Sequence, residues 1–333
     1  MKGLCILLTL ATVGLIPALS QKGNSPFAGR WAVTVTTAKD TYPAWMELVE
    51  KDGNPQVRVQ GRVSNVRPAA AAKMDGSRLF VTVSAASPAQ PASGTQHASP
   101  ARPEVTWELT VKGGKLTGSQ KQGGIVDAQL AGVRAPALKR APPTAWTDPE
   151  PLFNGKDLTG WEVISFSPHV AKPLISQWVA KNGELVNQAT GLNLRTARKF
   201  DDFKLHVEFN LTAAGNSGIY LRGRYEVQTK SVAGGPGARN PITGPGSIYG
   251  FIAPSTAIPA KPEQWQSYDI TLIGRNVTVD LNGARIIENQ EIPGITGGAL
   301  DSKEGEPGPM FLQGDHSGGI RFRNITVSVP AKR

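Results

Sequence analysis

Glycine and proline set the strongest limit on how this chain can fold: 37 Gly and 26 Pro punctuate its 333 residues. Such dense punctuation breaks helices and favours many short strands joined by tight turns. With 39% hydrophobic residues the chain still has enough apolar material for real cores, so wholesale disorder is excluded. The length suits two domains better than one small module. The 36 Lys+Arg against 26 Asp+Glu raise the question of a polyanionic partner, which depends on where the charge sits.

The first twenty residues read as a leader. Met1-Lys2 precedes the apolar run Leu4–Leu19, and Ala18-Leu19-Ser20 ends it in a small-x-small cleavage pattern. The run falls short of a membrane span and contains Pro17. Residues 1–20 are therefore expected to be a signal peptide, and the protein to be exported to a bacterial periplasm or beyond. The single cysteine, Cys5, lies in this leader. The mature chain then has no disulfide, no thiolate metal site and no thiol nucleophile. No second stretch approaches membrane-spanning length.

Residues 136–150 carry Pro136, Pro142, Pro143 and Pro149, and Pro151 follows directly, which predicts a semi-rigid linker. Before it, residues 24–135 show period-two runs: Arg30–Thr36, Gln56–Val63, Leu79–Val83 and Glu104–Val111. They are cut by Asp52-Gly53-Asn54-Pro55, Asp75-Gly76 and Gly113-Gly114, so a small antiparallel β-barrel or sandwich is predicted. Gly29-Arg30-Trp31 resembles the opening of lipocalin-like barrels. Ser84–Pro103 is low in complexity and reads as a long loop, and its His97 has no ligand partner nearby.

The charge divides unevenly: residues 21–140 hold 16 Lys+Arg and 8 Asp+Glu, residues 141–333 hold 19 and 18. The basic residues of the first part are scattered and lack aromatic interleaving, so no nucleic-acid site is expected. Electrostatic contact with anionic envelope polymers is the partner such a basic surface would suit.

Residues 151–330 alternate again, through Phe203–Phe209, Gly218–Gln228, Tyr268–Ile273, Asn276–Leu281, Ala284–Glu288 and Ile320–Val329, with Asn-Gly and Gly-rich breaks. This predicts a two-sheet antiparallel sandwich. Read as one strand, Gly218–Gln228 puts Arg222, Arg224, Glu226 and Gln228 on one face, opposite Leu221, Tyr225 and Val227. Cations beside a carboxylate at this spacing can fix hydroxyls and carbonyls of a polar ligand and steady an oxyanion. Ahead of this ladder stands Ala214-Gly215-Asn216-Ser217-Gly218; later, Gln313-Gly314-Asp315-His316-Ser317 places an Asp-His pair in a Gly-rich loop. A His so placed can be a general base, a metal ligand or a loop residue. His169 and His206 show no such partners.

Taken together, Leu152–Trp161 (LFNGKDLTGW), Asn216–Gln228 (NSGIYLRGRYEVQ), Gly246–Pro254 (GSIYGFIAP), Pro262–Ile270 (PEQWQSYDI), Leu281-Asn282-Gly283 and Gly308–Ile325 (GPMFLQGDHSGGIRFRNI) resemble the 3-keto-disaccharide hydrolase family over residues 151–329. The resemblance implies a concanavalin-like jelly-roll sandwich with a carbohydrate cleft, and cleavage of glycosides oxidised at C3. A C3 ketone acidifies the C2 hydrogen, so a base can remove it, the C1 substituent can leave, and water can add. That route does not need the two carboxylates of ordinary glycosidases. The expected catalytic residues are Glu226 and His316, either one the base, with Arg222 supporting the enolate. Asn216, Arg224, Gln228, Tyr249 and Gln313 are expected to bind substrate, Gln228 also to support the enolate oxygen, and Asp315 to orient His316 or bind sugar hydroxyls. No cofactor is assigned, and a divalent cation acting as Lewis acid at Glu226, His316 or Asp315 is left open. The rival expectation is a carbohydrate-binding sandwich without catalysis, because fold alone does not fix function.

Overall fold

A computed structural model describes residues 25–88, 101–164, 176–231, 240–256 and 261–331. The leader, most of the low-complexity loop with His97, and His169 lie outside these residues.

Strands make up nearly all the regular structure. The first nine form one antiparallel sheet, ordered Arg67–Pro68, Asn54–Gln60, Thr41–Lys51, Gly29–Thr37, Ile125–Arg134, Lys115–Gln122, Val105–Lys112, Arg78–Ser84 and Ala71–Asp75. Two backbone bonds from adjacent residues join its ends: Ala69 N donates to Val57 O at 2.8 Å, and Ala70 N to Thr82 O at 2.8 Å. The sheet thereby closes into a barrel, and closure removes exposed edges. Its interior holds Phe27, Trp31, Val33, Val35, Met46, Leu48, Leu79, Val81, Trp107, Leu109 and Leu130. Many of its cations are neutralised locally: Arg30 and Arg58 pair with Glu47, Arg62 with Asp40, and Arg78 and Lys121 with Glu108.

The strands after residue 149 form two sheets. The larger runs Trp178–Lys181, Glu184–Asn187, Ile320–Ser328, Phe203–Asn210, Gln266–Ile273, Asn276–Leu281 and Ala284–Glu291, with Glu150–Pro151 also paired to Ile320–Ser328. The smaller runs Trp161–Ile164, Asn193–Phe200, Gly308–Leu312, Asn216–Leu221 and Tyr225–Lys230. Between them lies one apolar core built from alternate residues of both sheets, including Phe203, Leu205, Val207, Phe209, Ile219, Leu221, Val227, Ile270, Leu272 and Leu312. Together these sheets are a jelly-roll sandwich, and the chain is all-β. Among the described residues no helix is long and apolar enough to cross a membrane.

Barrel and sandwich are joined by packing. Trp45, a barrel residue, belongs to the sandwich's core cluster and meets Phe251 edge-on at 5.2 Å. Arg30 reaches Glu291 at 2.5 Å, and Gly298 N donates to Arg62 O at 2.8 Å. The proline-rich segment lies along the sandwich: Arg140 pairs with Asp201 and Asp202, and Thr147 N donates to Val329 O at 2.9 Å.

Candidate active site

The face of the five-stranded sheet turned away from the core carries the polar residues. One row crosses all five strands, Glu162, Arg195, Phe311, Tyr220 and Glu226 being successive register partners. Phe311 and Tyr220 stack at 4.0 Å and 12°, which fixes the phenol beside Glu226. Along the last strand Glu226, Gln228 and Lys230 share this face, opposite Tyr220, Gly218 and Asn216 of its neighbour.

These residues open into a cavity of about 340 Å³, lined also by Tyr249, Gln313, His316, Asn240, Thr243, Gly297, Gly298, and Val63 and Asn65 of the barrel. That volume lies at the small end of the roughly 300–1,000 Å³ typical of ligand sites. Glu226 and His316, the two expected proton-transfer residues, thus line one cleft, with Asn216, Gln228, Tyr249 and Gln313. Asp315 stands behind them. It is buried, holds His316 Nδ1 at 2.7 Å through Oδ1, and accepts from Asn193 Nδ2 at 3.3 Å through Oδ2. The Nδ1 contact with Asp315 fixes the orientation of the imidazole at the cleft wall.

Glu226 is a strongly perturbed carboxylate of the cleft. Only 3% exposed, it is pushed up to about 8, first by burial and then by the nearby charge of Asp315. Its Oε2 faces Tyr220 OH at 2.9 Å, and that hydroxyl also reaches Gly297 O at 2.8 Å. The Gln228 amide, with its NH2 turned inward, donates to Glu226 Oε1 at 3.0 Å and Ser217 O at 2.8 Å. This arrangement accommodates both protonation states. Ionised, Glu226 accepts from Tyr220; protonated, it donates to the phenol oxygen while Tyr220 donates to Gly297 O. Taking up a proton therefore leaves no buried polar group unpaired. The Tyr220 hydroxyl is itself pushed well up by burial and by Glu226, so it stays protonated.

Gly218 makes room for this carboxylate: a Cβ there would lie 2.4 Å from Glu226 Oε1. Gly218→Ala is expected to displace Glu226 and lower any turnover that depends on it roughly tenfold or more, a misplacement of about 1 Å costing up to about 100-fold. Circular dichroism beside initial rates checks it; full turnover would show that Glu226 tolerates movement. Asn216 belongs to the cleft wall, and its Oδ1 is buried without a donor among the described residues.

Arg222 and Arg224 do not reach the cleft. Gly218–Gln228 is a hairpin, not one strand: Leu221 faces Tyr225 in register, and Arg222 and Gly223 turn the chain at φ 54° and 68°. Arg222 is fully buried on the far side, donating to Gly274 O and to Glu304 O and Glu306 O. Arg224 bonds Asp301 Oδ1 at 2.6 Å and Glu306 O at 2.7 Å. Neither can support an enolate at Glu226. Among the described residues the cation that lines the cleft is Lys230, two residues beyond Gln228 and on its face. Tyr220 and Lys230 were not singled out by sequence, although both have the parity of Glu226. Among the described residues no three His, Cys, Asp or Glu side chains gather as a metal cage.

Sequence comparison gives this geometry a family. The profile of the 3-keto-alpha-glucoside-1,2-lyase-like domain matches residues 148–328, more than half of the chain. The chain belongs to the 3-keto-alpha-glucoside-1,2-lyase-like family. Among solved structures, two candidate glycosyl hydrolases of Parabacteroides distasonis are similar to it. One is 28% identical, covering 57% of this chain and 92% of its own, with a TM-score of 0.45. The other is 21% identical, covering 56% and 94%, with a TM-score of 0.42. A carbohydrate-binding module of Bacillus subtilis is 11% identical, covering 52% and 97%, at a TM-score of 0.31. A search of curated proteins found no match. Family membership makes this a glycoside-acting domain, and the barrel lies outside the matched segment.

Proposed function

We propose that this chain is an exported enzyme that cleaves 3-keto glycosides by elimination and hydration, with Glu226 as the base. The observation that carries the reading is a buried carboxylate, raised to about 8 and hydrogen-bonded in either protonation state, lining the same cleft as an Asp-oriented histidine. Ionised Glu226 takes the C2 proton, and the electron pair moves into the C3 carbonyl as an enolate, which Lys230 is placed to stabilise. The enolate re-forms the ketone as the C1–O bond breaks, leaving a C1–C2 double bond conjugated to the C3 carbonyl. His316, held through Nδ1 by Asp315, gives the departing oxygen its proton and then draws one from the water that adds at C1. Glu226 returns its proton to C2, which yields the free 3-keto sugar and the aglycone.

A non-catalytic glycan binder would present an exposed aromatic platform. Here no tryptophan lines the cleft. Trp161 and Trp178 are core residues, and Trp265 is covered by Arg323 at 3.9 Å and Arg321 at 5.3 Å. The cleft is polar, with a carboxylate too deeply buried for mere hydroxyl binding to account for its cost.

Incubation with 3-keto-lactose should release free sugar, and kcat/KM should rise with pH along a limb of apparent pKa about 8, because the free enzyme's base must be ionised. A rate that did not change with pH through that range would remove Glu226 from the proton transfer. No release, with or without added divalent cation, would return the domain to glycan binding.

A further inference from the structure

The barrel reaches into the cleft. Its loop between Gln60 and Arg67 is wedged between two turns of the sandwich: a Cβ on Gly250 would lie 2.9 Å from Asn65 Cβ, and one on Gly297 would lie 2.7 Å from Ser64 O. Gly298 N donates to Arg62 O at 2.8 Å, and Gly61 N donates to Ser64 Oγ at 3.2 Å inside the loop. The two glycines are places where only hydrogen fits, so the loop is seated against backbone and not merely laid over a side-chain surface. Tyr249 and Tyr220's acceptor Gly297 flank the wedge, which places the loop at the Glu226 end of the cleft. Trp45 anchors the same edge of the barrel in the sandwich core.

Two side chains of this loop line the cavity. Asn65 is half-buried, and its amide makes no hydrogen bond among the described residues. Val63 is 39% exposed and presents its methyl groups at the cavity wall. A polar group that can both donate and accept, beside an apolar methyl pair, suits a pyranose: hydroxyls at its rim, C–H groups on its face.

The geometry points to the barrel loop as a wall of the active site, with Asn65 bonding a hydroxyl of the bound sugar and Val63 packing on its C–H face. This assignment rests on the proposed 3-keto-glycoside reading. It makes the barrel a determinant of which glycosides enter, although residues 148–328 alone carry the family match.

The test uses the full chain with Asn65→Ala and Val63→Trp, neither of which touches the proton-transfer groups. With 3-keto-lactose, Asn65→Ala should raise KM about tenfold with kcat within twofold of wild type, the loss of one substrate hydrogen bond without change in chemistry. Val63→Trp should fill the cavity and lower kcat/KM at least tenfold. Melting temperatures should be unchanged in both, which separates substrate contact from support of the fold. KM and kcat/KM within twofold of wild type in both variants would overturn the assignment. Should the wild type fail to cleave 3-keto-lactose, the reaction reading falls, and calorimetric binding of the same sugar decides the loop's role. Weaker binding by both variants supports it; equal binding, or none by the wild type, overturns it.

Discussion

Glu226→Gln should leave the sandwich folded and reduce cleavage of a 3-keto glycoside by about 10²–10⁴-fold, the range a positioned general base supplies. Glutamine keeps the shape and can still accept from Tyr220 OH, at 2.9 Å in the native protein, but it cannot take a proton from C2. The same substitution should raise stability at alkaline pH. Burial holds the native carboxyl at about 8 against 4.5 in the unfolded chain, so the native state binds the extra proton between those values. With more protons bound when folded, stability is full below the unfolded value and falls as pH rises toward the native one. Across that window the wild type should lose on the order of 4 kcal/mol, constant beyond it. In Glu226→Gln that component is absent, and its melting temperature at pH 9 should exceed the wild type's by about 10 °C for a domain of this size. Melting curves at pH 5 and pH 9 measure it. A Gln variant that kept turnover, or whose stability followed the wild type's pH dependence, would remove Glu226 from the centre of the site.

Parity put Glu226 and Gln228 on one face, the face that lines the cavity, and the reason it also misled is specific. Glu226 and Gln228 project where alternation puts them, and the three residues between Leu221 and Tyr225 preserve even-odd phase through the hairpin, so Tyr220 joins the same face. Turn residues follow no alternation. Arg222 sits at φ 54°, a conformation that costs an arginine energy and that nothing in RGR advertises as strongly as Asn-Gly would. Its compensation is the set of carbonyls it bonds from residues 274, 304 and 306, contacts between segments far apart in the chain. Asn65 lay beyond reach for the same reason: more than 150 residues separate it from Glu226, and only packing of barrel on sandwich brings it to the cavity. The jelly roll was legible because Gly-punctuated alternation and the ordered motifs from Leu152 to Ile325 both report it. Asp315's position behind His316 was half legible, since adjacency in sequence does not say which of the two faces the cleft.

The carbonyls that hold Arg222 belong to a buried network whose disruption should produce a large stability loss. Arg275 and Glu304 are 1% and 0% exposed, with Nη2 and Oε1 2.9 Å apart. The contact is off the axis of an N–H bond, so it acts as an ion pair and not as a good hydrogen bond. Tyr225 OH donates to Glu304 Oε2 at 2.8 Å, and Arg275 Nη1 donates to Pro293 O at 2.7 Å. Burial pushes the Glu304 carboxyl up, while Arg275 and the Tyr225 bond oppose the shift and help keep the charged form. Glu304→Gln keeps the volume and the tyrosine bond but strands a guanidinium in the core. Removing one member of such a pair costs about 3–5 kcal/mol, whereas replacing both members by apolar residues of similar size can be nearly neutral. Glu304→Gln should therefore lower the melting temperature by about 10 °C, and Arg275→Met with Glu304→Met should recover part of that loss, the buried Tyr225 hydroxyl then being without its acceptor. The two variants should part on activity. Arg275 also tethers Pro293, at the start of the turn whose Thr296 Oγ1 accepts from Glu226 N at 2.9 Å and whose Gly297 O faces Tyr220. The double variant, stable but without that tether, should still turn over 3-keto-lactose more slowly than wild type. Recovery of full activity along with stability would show that the turn needs no help from Arg275 to hold the base in place.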